Sequence, residues 1–427
     1  MLIIGCAVLI LIAWFWGARR FVEAVLLTRS FCDPLFTLSK LDDLGGMGLG
    51  AAVNLAAIAV AIGCMVSHPR VNIAPVARLW LPFLMVCLVA VPFSPDTSAA
   101  FRLFLVLVSH AAFCLLPFYV VRSIDDLRHF LLIIVAGSLV PTLLAMMQLA
   151  FGWAQWEDGT RVQATFTHPN IYAFYLMVVL AVVFVLLAGR GLRLTRRTRN
   201  LLTLYVPVLL GLMLMTKTRS AWAGTALIFM TYALLFDRRN LLYLLGLPLL
   251  AVVMPELVER IADLNQGNSR DTYAALNSYA FRVLLWESAF TWIWERPVFG
   301  WGLVGFAHYV AQFFPLALEN DTIDSHSVFV QLLFETGVIG LLAFLWIYLI
   351  LISLLINLIR LRARWAYISL ALVVGYLSMS YSDNMLGYLV PTWYMWFMFG
   401  SSYAILRIYK LARAGPEPLE TDLRVAR

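Results

Sequence analysis

Apolar runs separated by short polar segments follow one another along most of the chain. Residues 1–16 have the length of a signal peptide, but no positive charge precedes this run and no small-residue cleavage site follows it, so we interpret it as a retained first span. A transmembrane helix needs about 20 apolar residues, and eleven further runs approach or reach that length. These runs cover about 44–66, 78–93, 100–121, 130–151, 171–188, 201–215, 221–236, 241–254, 335–358, 366–382 and 393–409.

Arginines mark every second connection between these runs. They include Arg70 and Arg78, Arg122 and Arg128, Arg190 to Arg199, Arg238 and Arg239, Arg360 to Arg364, and Arg407 to Arg413. Short cytoplasmic loops carry such an excess, so we expect these connections and both termini in the cytoplasm. The opposite loops are 94–99, 152–170, 216–220, about 255–334 and 383–392. Arg19, Arg20, Arg29 and Lys40 then fall on the outer side, in conflict with this rule. The alternative is that the stretch 17–43 is re-entrant or interfacial.

These patterns predict an all-α polytopic membrane protein with about twelve transmembrane helices. Helices 1–9 occupy residues 1–254, a long and partly helical periplasmic loop occupies 255–334, and helices 10–12 occupy 335–410. The polar tail 411–427 lacks apolar periodicity and is expected to be a disordered cytoplasmic segment.

Composition agrees with a bilayer environment. Of the 427 residues, 62% are hydrophobic and 13% are charged, and the mean hydropathy is +0.86, whereas soluble chains are about 45–50% apolar and about 25% charged. The net charge of +7 is scattered and forms no basic stripe, which argues against nucleic acid as a partner. Neither the spacing of the five cysteines nor any carboxylate-rich cluster indicates a metal site, and no cofactor is expected.

The long outer loop contains a predicted amphipathic helix over Tyr279 to Arg296. Its apolar positions recur at helical spacing. Its tryptophans, with Trp301 beyond it, suit the headgroup region, so we expect this helix to lie along the outer membrane interface. Pro297 should end the helix, and the glycine-rich turn after it can bring backbone close to a ligand.

Candidate acid–base groups lie where this loop meets the next span. Asp324 and His326 precede an apolar run, and an ionisable pair at a membrane boundary is a candidate for proton transfer. The alternative interpretation of His326 is a helix cap. Glu335, which Gly337 and Gly340 follow, is more simply interpreted as structural.

Basic residues on the outer loops have no explanation in topology. Lys217 and Arg219 lie between two short spans, and Arg282 lies on the amphipathic helix. The planar guanidinium group matches phosphate oxygens, so Arg219 and Arg282 are predicted to bind a diphosphate at the outer leaflet, with Lys217 as a further phosphate candidate. The alternative is that these side chains extend to lipid headgroups.

A second outer loop adds Arg161 and His168 as candidate substrate-binding residues. Pro169 in a first helical turn and Asn170 beside it are also typical of a helix start, so this segment has a capping interpretation as well.

Taken together, these elements resemble the bacterial O-antigen ligase and polysaccharide polymerase superfamily, over roughly residues 150–345. The resemblance rests on TFTHPNIYAFYL, on TKTRSAWAG about fifty residues later, and on a series that ends in DSHSVFVQLLFETGVIG. That series contains Arg282, Trp286, Pro297, Gly300, Gly302 and Phe306. Ser327 stands where many relatives carry asparagine.

The resemblance implies a fold similar to the GT-C glycosyltransferases and a metal-independent transfer of a glycan from undecaprenyl diphosphate to an acceptor. By position, His326, Arg219 and Arg282 correspond to the essential histidine and arginines of the superfamily. His326 is then expected to act as base, while Asp324 orients its ring. The implied setting is the periplasmic face of a bacterial inner membrane, among membrane lipids.

Three acceptors fit the superfamily: the lipid A core, another undecaprenyl-linked glycan, or a protein side chain. We rank the O-antigen ligase narrowly first and the polymerase a close second, because polymerases share the same outer-loop motifs and a similar length. Enzymes with protein acceptors rank last, because they generally have a large extra C-terminal portion, whereas this chain ends soon after its last predicted span. A transporter or flippase would need ionisable groups near the middle of the membrane, and the apolar runs carry almost none. A structural scaffold would not need arginines and histidines on three outer loops.

Overall fold

A computed structural model describes residues 16–32, 49–156, 159–246, 278–318 and 322–414. Several predictions fall outside these residues: most of the first span, the second half of the 17–43 stretch with Lys40, the start of the long loop, and most of the C-terminal tail. The predicted span 241–254 also lies mainly outside them, and its described part belongs to a 3-10 helix at Arg238–Gly246.

The described residues are almost entirely helical. The helices are α1 (residues 16–28), α2 (Leu49–Ser67), α3 (Ala74–Ala90), α4 (Thr97–Leu115), α5 (Ile124–Ala150), α6 (Pro169–Ala188), α7 (Arg196–Met215), α8 (Arg219–Leu235), α9 (Ser278–Glu295), α10 (Gly305–Phe313), α11 (Val328–Arg360), α12 (Ala366–Ser382) and α13 (Leu389–Ala414). One antiparallel pair of two-residue strands, β1 (Gln155–Trp156) and β2 (Gly159–Thr160), follows α5. Short helical turns at Arg29–Phe31, Val91–Phe93, Pro117–Val120, Arg190–Leu192 and Met385–Gly387 complete the described elements.

The chain is a polytopic membrane protein whose described residues are mainly helical. Within the described segments, seven helices are long and apolar enough to cross a bilayer, namely α2, α3 with the turn after it, α4 with Pro117–Val120, α5, α6, α7 and α11. Helix α12 is apolar but shorter. The total of twelve spans and the GT-C comparison remain predictions.

Helix α6 forms the centre of the bundle. Its segment is 94% buried inside the protein, whereas the other six candidate spans are between 28% and 67% buried. It contacts α5, α7, α8, α12 and α13, so its uniformly apolar surface packs against other helices on all sides.

The connecting loops lie at two opposite ends of the helical bundle. We call the outer end the one that carries the connection between α5 and α6 and the turn between α7 and α8. At the opposite end, Arg128 donates to the backbone oxygens of Leu192 and Arg193, and Arg364 donates to the oxygen of Leu235. The predicted arginine-rich loops therefore lie together at one end.

The expected outer position of Arg19 is wrong. Its guanidinium lies 2.6 Å from a carboxylate oxygen of Asp126, in the first turn of α5, at the arginine-rich end. Further along, the Ser30 hydroxyl donates to the backbone oxygen of Gly137, so α1 runs parallel to α5. The ion pair satisfies the charge of Arg19 at this end, and this position also removes the conflict with the positive-inside rule.

Helices α9 and α10 form a small unit attached to α11. Its own apolar cluster is built from Leu285, Trp286, Ala289, Ile293, Phe306, Val310, Phe314, Val330 and Phe334. Helix α11 is broken at Gly337, whose φ of +65° is left-handed, and a side chain there would overlap the backbone oxygen of Val298. Four backbone hydrogen bonds join the segment 297–302 to α11 at this break: Trp301 N to Phe334 O at 2.8 Å, Gly302 N to Glu335 O at 2.9 Å, Val338 N to Pro297 O at 2.8 Å, and Ile339 N to Val298 O at 3.5 Å.

Candidate functional site

Four segments that are distant in sequence meet at the outer end. They are the approach to α6, the turn between α7 and α8, the segment before α11, and the turn after α12. Hydrogen bonds join three of them: Arg161 donates to the backbone oxygen of Thr216 at 2.9 Å, and Asn170 donates to Asp383 at 2.7 Å. The segment before α11 lies close enough for Asp383 to act electrostatically on His326. All seven predicted site residues lie on these segments or on α9.

Arg161 anchors the turn between α7 and α8. The side chain is 7% exposed, and its Nη2 atom donates to Asn170 Oδ1 at 2.8 Å and to Thr218 Oγ1 at 3.3 Å. A buried guanidinium that is hydrogen-bonded in this way fixes its partners as well as supplying charge. Arg161 therefore holds the loop that carries Lys217 and Arg219.

Lys217 and Arg219 lie at the start of α8. Lys217 has a left-handed φ of +52° and is 7% exposed, so it is packed against protein rather than spread over a lipid-facing surface. Thr218 precedes the helix, and Arg219, half-buried, is its first residue. The amino end of a helix carries partial positive charge, which adds to these two cations in attracting an anion.

His168 caps α6. Its Nδ1 atom accepts a hydrogen bond from the backbone N–H of Asn170 at 3.0 Å, and Pro169 fills the first helical position. Burial lowers the pKa of His168, and the charge of Arg161 lowers it further. The capping interpretation is therefore correct for one ring nitrogen.

Arg282 and Asp324 both lie within electrostatic reach of His326. Burial lowers the pKa of His326, and the charge of Arg282 acts in the same direction, while Asp383 and Asp324 oppose the shift. Burial also lowers the pKa of the Arg282 guanidinium. The imidazole is therefore held in its neutral, proton-accepting form near neutral pH.

Helix capping at the start of α11 is done by Ser327, not by His326. The Ser327 side chain accepts from the backbone N–H of Val330 at 3.5 Å and is 1% exposed. The capping interpretation of His326 is therefore wrong. The cap is Ser327, the residue that stands where many relatives carry asparagine.

Asp383 was not among the site residues predicted from the sequence. This carboxylate is 3% exposed, accepts from Asn170 through one oxygen, and accepts from the Tyr388 hydroxyl at 2.7 Å through the other. It also acts electrostatically on His168, Arg282 and His326. A lone carboxylate directly after an apolar run was the available signal.

Glu335 has a structural role. Its carboxylate is 2% exposed and accepts from Gln331 at 3.2 Å and from the backbone N–H groups of Val304 and Phe306, at the start of α10. It therefore ties the α9–α10 unit to α11.

Among the described residues, no group of three or more His, Cys, Asp or Glu side chains is placed to hold a metal ion. Metal independence stays a prediction.

Part of the candidate site lies in a region that matches a known protein family. Residues 204–345 match the family described as O-Antigen ligase, and the predicted superfamily is confirmed by this match. The matched range includes Lys217, Arg219, Arg282, Asp324 and His326, whereas the other members of the site lie outside it. A comparison with curated proteins finds no match. The family implies glycosyltransferase-like activity in general terms.

Proposed function

We propose that this member of the O-antigen ligase and polysaccharide polymerase superfamily transfers a glycan from undecaprenyl diphosphate to the lipid A core oligosaccharide. The reaction takes place at the periplasmic face of a bacterial inner membrane. The observation that carries the proposal is the grouping of basic residues and a histidine on segments that meet at one end of a membrane bundle. The ligase is preferred to the polymerase because the matching family is described as a ligase.

Charge at the site suits a diphosphate diester. The segments that meet here and α9 carry four basic residues, Arg161, Lys217, Arg219 and Arg282, and two carboxylates, Asp324 and Asp383, which leaves two formal positive charges. A diphosphate diester carries two negative charges at neutral pH, so donor binding neutralises the site. Arg219 and Arg282 act on each other electrostatically, which places them together for one anion.

His326 is the proposed base. The acceptor hydroxyl gives its proton to the imidazole, its oxygen forms a bond to the anomeric carbon, and the bond from that carbon to the diphosphate oxygen breaks. Undecaprenyl diphosphate leaves with the electron pair, and direct displacement inverts the anomeric centre. Arg219 and Arg282 stabilise the charge on the departing diphosphate, so no metal is needed.

Asp383 stabilises the imidazolium that this step produces. Its negative charge favours the protonated ring of His326, whereas Arg282 disfavours it. Asn170 and Tyr388 hold both carboxylate oxygens, so this charge has a fixed position.

The pH dependence of turnover should report these opposed charges. Because the pKa of His326 lies below its ordinary value of about 6.5, turnover should fall only at more acidic pH, as the ring becomes protonated. Replacing Arg282 by glutamine removes a cause of the lowering, so the acid limb of the residual turnover should move to higher pH. Replacing Asp383 by asparagine should move it to lower pH. Shifts of the same sign in both variants would contradict the assignment.

Reconstitution with defined substrates tests the proposed reaction. The purified protein in vesicles receives an undecaprenyl diphosphate-linked glycan and purified lipid A core, and products are identified by mass. Glycan on the lipid A core supports the ligase, and longer glycans on undecaprenyl replace it by the polymerase. Movement of the donor between leaflets without a new glycosidic bond would show a flippase and overturn the proposal.

A further inference from the structure

The backbone at His326 has a conformation that its neighbours must maintain. Its φ is +51°, in the left-handed region, and the residue lies in an irregular segment just before α11. Residues other than glycine rarely adopt this region, and they persist there only where surrounding contacts hold them. The direction of the imidazole therefore depends on the contacts of the residues beside it.

Those contacts come from Trp286 and Ser325. The indole N–H of Trp286 donates to the backbone oxygen of Ser325 at 2.7 Å, in a buried position. The Ser325 hydroxyl donates to the backbone oxygen of Ser327 at 2.8 Å and accepts from its N–H at 3.2 Å. Both serines are 1% exposed, so the chain is fixed on each side of His326, which itself is half-buried.

Trp286 also contacts the other parts of the site. It lies four residues after Arg282 on α9, so the two side chains share one face of the helix. Its ring packs edge-on against Tyr381, with 5.3 Å between the ring centroids. Tyr381 lies two residues before Asp383. One indole thus links the segments that carry Arg282, His326 and Asp383.

We propose that Trp286 and Ser325 are positioning residues that hold His326 in its left-handed conformation and aim its ring at the acceptor. The inference rests on the proposed role of His326 as base. A general base must lie within hydrogen-bond reach of its proton, and a displacement of about 1 Å costs as much as about a hundredfold in rate. Neither residue needs to touch the substrate for this effect.

Trp286→Phe tests the role because it removes the N–H and keeps an aromatic ring against Tyr381. In the full-length reconstituted protein, we expect turnover to fall about tenfold while the KM for the donor stays within about twofold. The rate at which diethyl pyrocarbonate acylates His326, followed by mass spectrometry, should change as well. Ser325→Ala should show the same pattern, and it carries the test if Trp286→Phe does not insert.

Trp301→Phe is the matched control. It removes a similar bond, from the Trp301 indole N–H to the backbone oxygen of Trp292 at 2.9 Å, in the same unit but away from His326. Equal turnover and equal acylation rates in the two tryptophan variants would overturn the inference and leave the base assignment intact. Wild-type turnover in His326→Ala would instead overturn the proposed function, so the two failures are distinguishable.

Discussion

Replacing His326 by alanine is expected to lower glycan transfer by about 10²- to 10⁴-fold, the usual contribution of a general base. Donor binding should persist, because the arginines that are proposed to bind the phosphates lie on other segments. Thermal stability should change little, since the cap of α11 is supplied by Ser327. Transfer is measured with reconstituted protein, and donor binding is measured separately by displacement of a labelled undecaprenyl diphosphate.

His308→Ala provides the control for this variant. His308 lies exposed on α10, in the same outer unit, and its ring contacts Tyr309 rather than the site. It should transfer glycan at the wild-type rate. A His326→Ala protein with wild-type transfer and a lowered melting temperature would show that the histidine has only a structural role.

Replacing Arg219 or Arg282 by alanine is expected to weaken donor binding or turnover by about ten- to a hundredfold. A hydrogen bond to a charged group contributes about 1.5–3 kcal/mol, and each arginine is proposed to make such bonds to the diphosphate. Lysine at either position should restore part of the loss, because it keeps the charge but lacks the planar pair of donors. Donor KM and turnover are measured for all four variants.

Arg296→Ala distinguishes this effect from a general loss of positive charge. Arg296 follows α9, is exposed, and stacks on Trp301 with its guanidinium carbon 4.0 Å from the ring centroid. Its removal should leave donor KM unchanged. Wild-type donor binding and turnover in Arg219→Ala and Arg282→Ala would refute the diphosphate clamp.

The helices and several candidate site residues could be predicted from the amino-acid sequence, because the patterns that indicate them lie within short segments. The apolar runs at 171–188 and 201–215 recur within the observed α6 and α7. The expected helix over Tyr279 to Arg296 corresponds to the observed Ser278–Glu295. Residues such as Arg282 and His326 were candidates because the positive-inside rule does not explain ionisable side chains on an outer loop.

The remaining features depend on contacts between distant parts of the chain. Asn170 and Asp383 are separated by 213 positions, and nothing in either segment specifies the other. The placement of Arg19 failed for the same reason, because its partner Asp126 lies 107 positions away. Periodicity reports which face of a helix is apolar, but it does not report which helix covers that face.

Because α6 lies at the centre of the bundle, the order in which the helices are synthesised determines when each of its neighbours is in place. Helix α6 begins beside His168 and Asn170, yet two of the helices around it, α12 and α13, are synthesised after all the other described helices. Asp383, which holds Asn170, lies between those two helices. A nascent chain that has inserted everything up to α11 therefore lacks this carboxylate. Asp383 is therefore added to the candidate site only after the segments that carry Arg161, His168, Arg282 and His326 have been synthesised.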